Sequence, residues 1–249
     1  MHPVLFQLGP ITIYTYGFFV FLGVLSAYLV CRKQAKNNAI DLNIFSDIFF
    51  WTLIFAFIGA RILYLFVEWE IFLENPLGAI FSRSGFVFYG GIIGGVASAI
   101  IIARRKKIDF FKLADIFAVG IPLGHSLGRL GCFFYGCCYG KPSEAFYALL
   151  FPAGSPAGGL GVKVIPTQLI SAFALFLIFF LLLVISKHKK FNGQILVSYL
   201  FIYGIFRFLI EFLRGDPRGE VFMFSTSQIV SIITVIVSII LFFRFKRSS

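Results

Sequence analysis

Long apolar runs separated by short charged connectors set the pattern of this chain. Roughly 11–30, 45–67, 85–103, 110–134, 168–185, 195–213 and 225–243 are such runs. Each approaches the ~20 residues that a helix needs to cross a bilayer. The pattern predicts an all-α, polytopic membrane protein with about seven transmembrane helices, forming a single transmembrane domain over residues 1–249. The opening MHPVLFQLGPITIY reads as an interfacial segment broken by Gly9-Pro10 and leading into the first span. It has no basic region and no small-residue cleavage site, so no removable leader is expected.

Composition agrees, and it excludes a soluble domain. The 249 residues are 59% hydrophobic and 13% charged, with a mean hydropathy of +0.93 and 35 Phe. The net charge of +11 raises the question of nucleic acid, and its distribution answers it. Arg32, Lys33 and Lys36 follow the first run, and Arg104, Arg105, Lys106, Lys107 and Lys112 surround the turn from the third to the fourth. Lys187, Lys189 and Lys190 follow the fifth, and Arg244, Lys246 and Arg247 end the seventh. The alternate connectors carry only Arg83, Lys141, Lys163, Arg214 and Arg218, beside several carboxylates. The positive-inside rule then predicts an external N-terminus and a cytoplasmic C-terminus. The basic excess is a topology signal, and no nucleic-acid partner is expected. The connector 141–166 (KPSEAFYALLFPAGSPAGGLGVKVIP) is long enough for a small external cap, although a flexible loop fits as well.

Three basic residues remain inside spans: Arg61, Arg129 and Arg207. A charge near mid-bilayer costs ~2.5 kcal/mol or more, so such residues face a bundle interior or a watery cavity. In the sixth run Tyr203, Arg207, Glu211 and Arg214 share one helical face. A tolerated Arg207–Glu211 ion pair and a functional one both fit that spacing. Arg61, Tyr64 and Glu68 form a weaker parallel in the second run, where interfacial snorkelling is the competing reading. Gly120, Gly124 and Gly128 in the fourth run, and Gly90, Gly91, Gly94 and Gly95 in the third, predict faces where helices approach closely.

The stretch GRLGCFFYGCCYG, residues 128–140, joins Arg129 to three of the four cysteines. The spacing of Cys132, Cys137 and Cys138 is not a standard zinc-ligand pattern, so no metal is expected. A disulfide is open to a segment near the oxidising side, and small apolar packing is the plainer fate of such thiols. Arg129 carries more information, because a planar guanidinium beside glycines suits bidentate phosphate binding.

At these residues the chain resembles the prolipoprotein diacylglyceryl transferase family, over nearly its whole length. The family's Gly-Arg-x-Gly signature matches Gly128-Arg129-Leu130-Gly131, followed by Phe133, Gly136 and Gly140. Tyr16-Gly17, Gly59-Ala60-Arg61, Gly90-Gly91, Asp115, Pro166-Thr167-Gln168 and Tyr203-Gly204 with Phe206, Arg207 and Glu211 match in order. The chain departs from the family at Tyr89, where a histidine is usual. It also departs at Cys132 for an asparagine, Cys137 for an acidic residue and Ile165 before Pro166.

The resemblance implies a bacterial inner-membrane enzyme that moves diacylglyceryl from phosphatidylglycerol to the lipobox cysteine of a prolipoprotein. It implies a thioether product, release of glycerol phosphate, and no metal or organic cofactor. Arg129 and Arg207 are the expected phosphate-stabilising residues, with Tyr16, Arg61, Gly140, Tyr203 and Glu211 as further lipid-binding positions. With Tyr89 in the histidine position, His125 becomes the expected proton acceptor. It is the one histidine within a span, four residues before Arg129. An unperturbed imidazole titrates near ~6.5, which suits that role, and Tyr89 then positions the headgroup. Two other readings stay open: a transporter for an anionic solute, or an inactive member that binds lipid or lipoprotein.

Overall fold

The computed structural model describes residues 4–9, 11–82, 85–216, 220–221 and 223–247. His2, Pro10, Arg83 and Arg218 lie outside these residues, as does the side chain of Glu220. Seven helices are long and apolar enough to span a membrane. They are α1 (Thr15–Asn37), α2 (Leu42–Val67), α5 (Phe88–Arg105), α6 (Phe110–Tyr135), α7 (Thr167–Lys187), α8 (Gln194–Glu211) and α9 (Thr226–Arg247). Two short helices, α3 (Trp69–Glu74) and α4 (Pro76–Phe81), lie between α2 and α5. The protein is thus a multi-pass, mainly helical membrane protein. Phe21, Phe66, Phe173 and Ile233 are exposed on the spanning helices, as expected where the surrounding solvent is lipid.

The departures from a purely helical chain are small. The opening segment is an antiparallel hairpin of β1 (Val4–Leu8) and β2 (Ile11–Tyr14). Its β-branched and aromatic residues favour extended backbone, and Gly9 supplies a left-handed turn residue at φ +57°. A second short hairpin pairs β3 (Glu220–Val221) with β4 (Phe224–Ser225), just before α9. Helix starts follow ordinary capping chemistry. Asp41 accepts from the amides of Asn43 and Ile44, and Asp109 from those of Phe111 and Lys112.

The described residues divide into two compact units, Met1–Cys31 with Ala114–Ser249, and Arg32–Leu113. In the larger unit, Ala118 and Val119 of α6, Ile178, Phe179 and Leu182 of α7, and Ile195 and Tyr199 of α8 form the core. Gly23 of α1 and Gly124 of α6 face each other so closely that a Cβ on Gly23 would lie 2.7 Å from the Gly124 carbonyl oxygen. Gly120 is as crowded, against Ala27 and Cys31, whereas Gly128 has open space. Gly128 thus lies off the close face of α6, which resumes at Gly131 against Tyr16 and Phe19 of α1.

Asp115, buried in α6, holds the start of α8. Its carboxylate accepts from the amides of Gly193 and Leu196, each at 2.8 Å, and pairs with Lys189 at 2.9 Å. A carboxylate at a helix N-terminus satisfies orphan amides and meets the positive end of the helix dipole. Orientation of α8, and of Arg207 on it, rests partly on this contact.

In the smaller unit, α2 packs on α5 through glycine. Gly59 and Gly90 abut backbone to backbone, and Gly94 lies against the carbonyl of Phe55. Gly91, on the neighbouring face of α5, is merely in ordinary contact, at 3.4 Å from the Ala56 oxygen. Gly90→Ala should therefore force α2 and α5 apart and destabilise the protein by about 1–3 kcal/mol. Gly91→Ala should be neutral or stabilising, since alanine favours helix by roughly 0.5–1 kcal/mol. Thermal unfolding of the detergent-solubilised variants separates the two; equal behaviour would contradict this packing.

Candidate active site

The larger unit contains a cleft with about 220 Å³ of empty space, and its walls carry an unusual density of cations. α6 contributes His125 and Arg129, one turn apart. α8 contributes Tyr203 and Arg207, and Arg214 joins them from just beyond its end. Ser171 and Leu175 of α7 close the remaining side. That space is partly open to the surroundings.

The three arginines are held differently. Arg207 forms an ion pair with Glu211 one turn along α8, and its other terminal nitrogen donates to Ser227 Oγ of α9 at 2.8 Å. Arg214 forks onto Asp216, its Nε and Nη2 each donating to a carboxylate oxygen at 2.7 Å. Both are charges paired by the protein. Among the described residues no carboxylate pairs with Arg129, and its buried Nε has no hydrogen-bond partner. Leaving such a donor unmet costs roughly 1–3 kcal/mol, more when it is charged. An anion would satisfy it.

His125 stands with its ring edge-on to Tyr203, the centroids 5.6 Å apart, and Tyr203 stacks on Tyr199. Sequence reasoning thus meets His125, Arg129, Tyr203 and Arg207 in one place. It counted Arg214 as a connector residue, and the structure puts it in the cleft wall. The helical spacing from Tyr203 was the available signal. Ser227 was missed, because only the packing of α9 brings it to Arg207.

Gly140 belongs to the framework of the site. Its amide donates to Ile165, and it bridges to Arg214 in antiparallel fashion. A Cβ there would meet the carbonyl oxygens of Ile165 and Leu213, both at 2.7 Å. The connector it opens, 141–166, packs around Tyr139, Phe151, Ala157 and Val164, all buried. Tyr16, at the start of α1, lies against Gly131, with its ring 6.3 Å from that of Tyr135.

Arg61 and Tyr89 belong to the smaller unit. Arg61 donates to the carbonyls of Ala79, Ile80, Ser82 and Gly85, and lies over the rings of Tyr64 and Phe86. That arrangement closes the end of α4, and of the two helical neighbours Tyr64 and Glu68 it brings Tyr64 to the guanidinium. Tyr89 is half exposed at the start of α5, edge-on to Phe88.

The three cysteines of the 128–140 stretch also cluster. Their sulfur atoms lie within 4.8 Å of one another, and all are free thiols. Hydrogen bonds with Cys132 and Cys137 hold the Cys138 thiol below its ordinary range, and the charges of Arg214 and Arg129 act the same way. Hydrogen bonding with Cys132 and Cys138, and then burial, push Cys137 up.

A family model described as prolipoprotein diacylglyceryl transferase matches residues 3–244. The chain belongs to that family. It is 37% identical over 242 residues to the phosphatidylglycerol–prolipoprotein diacylglyceryl transferase of Clostridium tetani, covering 97% of each chain. It is 39% identical over 250 residues to the enzyme of that name from Finegoldia magna, covering 99% of this chain and 97% of the other. A second such enzyme of Clostridium perfringens is 36% identical over 244 residues, covering 97% of this chain and 94% of the other. Of the positions that match the family pattern, Arg129, Tyr203, Phe206 and Arg207 line the cleft just described.

The close fit at Gly140 makes a further expectation for this family member. Gly140→Ala should lower stability by about 1–3 kcal/mol, because the Leu213 carbonyl adjoins Arg214 and the Ile165 carbonyl is held by the amides of Gly140 and Thr167. Gly154→Ala is the control, since nothing lies within 4 Å of its added methyl. Unfolding temperatures in detergent measure both, and an unaffected Gly140→Ala would refute the close approach.

Proposed function

We propose that this chain transfers the diacylglyceryl group of phosphatidylglycerol to the lipobox cysteine of a prolipoprotein at the bacterial inner membrane. Family membership supplies the activity class, and one observation carries its assignment to this cleft. Arg129 is a partly buried cation with no carboxylate partner among the described residues and an unmet Nε donor. A phosphodiester headgroup offers the charge and the acceptors that such a group lacks.

In the proposed reaction the cysteine thiol gives up its proton, since the thiolate is the nucleophile. The sulfur attacks the glycerol carbon that bears the phosphate ester, and a carbon–sulfur bond forms as the carbon–oxygen bond breaks. The electron pair leaves on the phosphate oxygen of glycerol phosphate. Arg129, aided by Arg207, stabilises that developing charge in a site screened from water. Glu211 and Ser227 fix Arg207 for this work.

His125 accepts the thiol proton in this scheme, on the strength of its place beside Arg129 in the cleft wall. Tyr89 keeps the headgroup-positioning role that its place in the family pattern suggests. Tyr16, Gly140 and Tyr203 shape the lipid side of the site, whereas Arg61 serves the end of α4. With the basic connectors placed in the cytoplasm, the N-terminus lies outside and the cleft in the outer half of the membrane.

Transfer to a lipobox peptide, followed by mass spectrometry, tests the assignment. Arg129→Lys keeps the charge and loses the fork, so transfer should fall about a hundredfold, corresponding to roughly 3 kcal/mol. Arg207→Gln should cost more than Glu211→Gln. His125→Gln should abolish transfer while Tyr89→Phe only weakens it. Near-wild-type transfer by Arg129→Ala would overturn the clamp. An active His125→Gln beside an inactive Tyr89→Phe would move the proton role to Tyr89.

A further inference from the structure

The spacing of Cys132, Cys137 and Cys138 is unlike a metal motif in sequence, yet a helix stop folds the three together. Gly136, at φ +82°, ends α6 in the left-handed conformation. The Cys137 amide returns to the carbonyl of Cys132 at 3.2 Å, and the Gly136 amide to those of Phe133 and Cys132, at 3.2 and 2.9 Å. This is the geometry of a Schellman cap, in which the residues at the Cys132 and Cys137 positions characteristically touch. Cys138 is itself left-handed, at φ +62°. A non-glycine residue seldom holds that conformation unless the surrounding structure imposes it. The reversal turns the third thiol back toward the other two.

The turn is built rather than loose. Gln168 Nε2 donates to the carbonyl of Cys137 at 2.7 Å, and Thr167 Oγ1 to that of Cys138 at 2.8 Å. Both donors are fully buried at the start of α7. All three sulfur atoms fall within 4.8 Å of one another. Thiolates bound to zinc at ~2.3 Å stand about 3.8 Å apart, so closing the ring needs movements of about 1 Å or less. The fourth cysteine shows what plain packing looks like. Cys31 is 1% exposed and donates to the carbonyl of Ile116, far from any other thiol in the chain's packing. The clustered three are only partly buried, so their sulfur atoms are less enclosed than that of Cys31.

We infer that Cys132, Cys137 and Cys138 form a three-thiolate site for one thiophilic divalent cation of the zinc type, with its fourth position taken by water or an incoming ligand. The site borders the cleft through Arg129, but metal binding and transfer are read by separate measurements, so a failure of either leaves the other standing.

The full-length protein, purified in detergent with reductant and stripped by chelator, should be titrated with Cd²⁺ and then challenged with Zn²⁺. One equivalent of Cd²⁺ should give a saturable sulfur-to-cadmium charge-transfer absorption, and Zn²⁺ should displace it. Cys132→Ser, Cys137→Ser and Cys138→Ser should each weaken binding by at least about tenfold, since even losing an outer partner of a metal site costs ~10–100-fold. Cys31→Ser should bind as wild type. Protein isolated without reductant should keep the three thiols reduced, and chelator should raise their alkylation rate. Absence of a one-equivalent transition, undiminished binding by Cys138→Ser, or a disulfide among the three in protein isolated without reductant would overturn the proposal.

Discussion

A guanidinium in an apolar bundle must find its compensation inside the protein or in a ligand, and the site depends on that constraint. Stranding one uncompensated is expensive even by the mildest membrane scales. Arg207 and Arg214 answer with carboxylates, Glu211 and Asp216. Arg61 answers with backbone carbonyls at the end of α4. Arg129 has no carboxylate answer among the described residues, and its Nε has no hydrogen-bond partner. The chain thus spends its few acids on the arginines that must be positioned and leaves exposed to a ligand the one that must bind it.

Close backbone approach makes this arrangement rigid. Gly23 with Gly124 sets α1 against α6, and Gly140 with Gly215 sets the 136–142 turn against the end of α8. Asp115 fixes where α8 begins, Glu211 and Ser227 steady its arginine, and Gly140 steadies the next one. A headgroup site that stabilises a departing phosphate needs donors already in place, since donors that must reorganise contribute less. The same logic explains a core of small residues at the crossings and large ones toward lipid.

Much of this was legible in the sequence because membrane insertion writes itself into composition. The seven spans follow from apolar run length alone, and Arg129 and Arg207 stand out because charges are so scarce there. His125 beside Arg129 needs only helical periodicity. What was not legible depends on turns and tertiary packing. Periodicity put Arg214 on the face of Tyr203 and Arg207 while its position counted it as a connector residue, and only the fold shows that the chain just past α8 runs back along Gly140. For Arg61 the spacing left a helical face with Tyr64 and Glu68 or interfacial snorkelling open, and the carbonyls that hold it come from α4 and the turn after it. The three cysteines of 128–140 showed no standard ligand spacing, because their convergence follows from left-handed residues at 136 and 138. Asp115 matched a family position without revealing that it caps another helix.

The account stands or falls on whether Arg129 is kept for a phospholipid phosphate. Native mass spectrometry of the delipidated protein, titrated with phosphatidylglycerol and separately with diacylglycerol, measures this directly. Wild type should retain one phosphatidylglycerol through activation energies that strip diacylglycerol, and Arg129→Gln should lose that difference while Arg61→Gln, if folded, keeps it. Equal retention of both lipids by wild type, or undiminished phosphatidylglycerol retention by Arg129→Gln, would contradict the account.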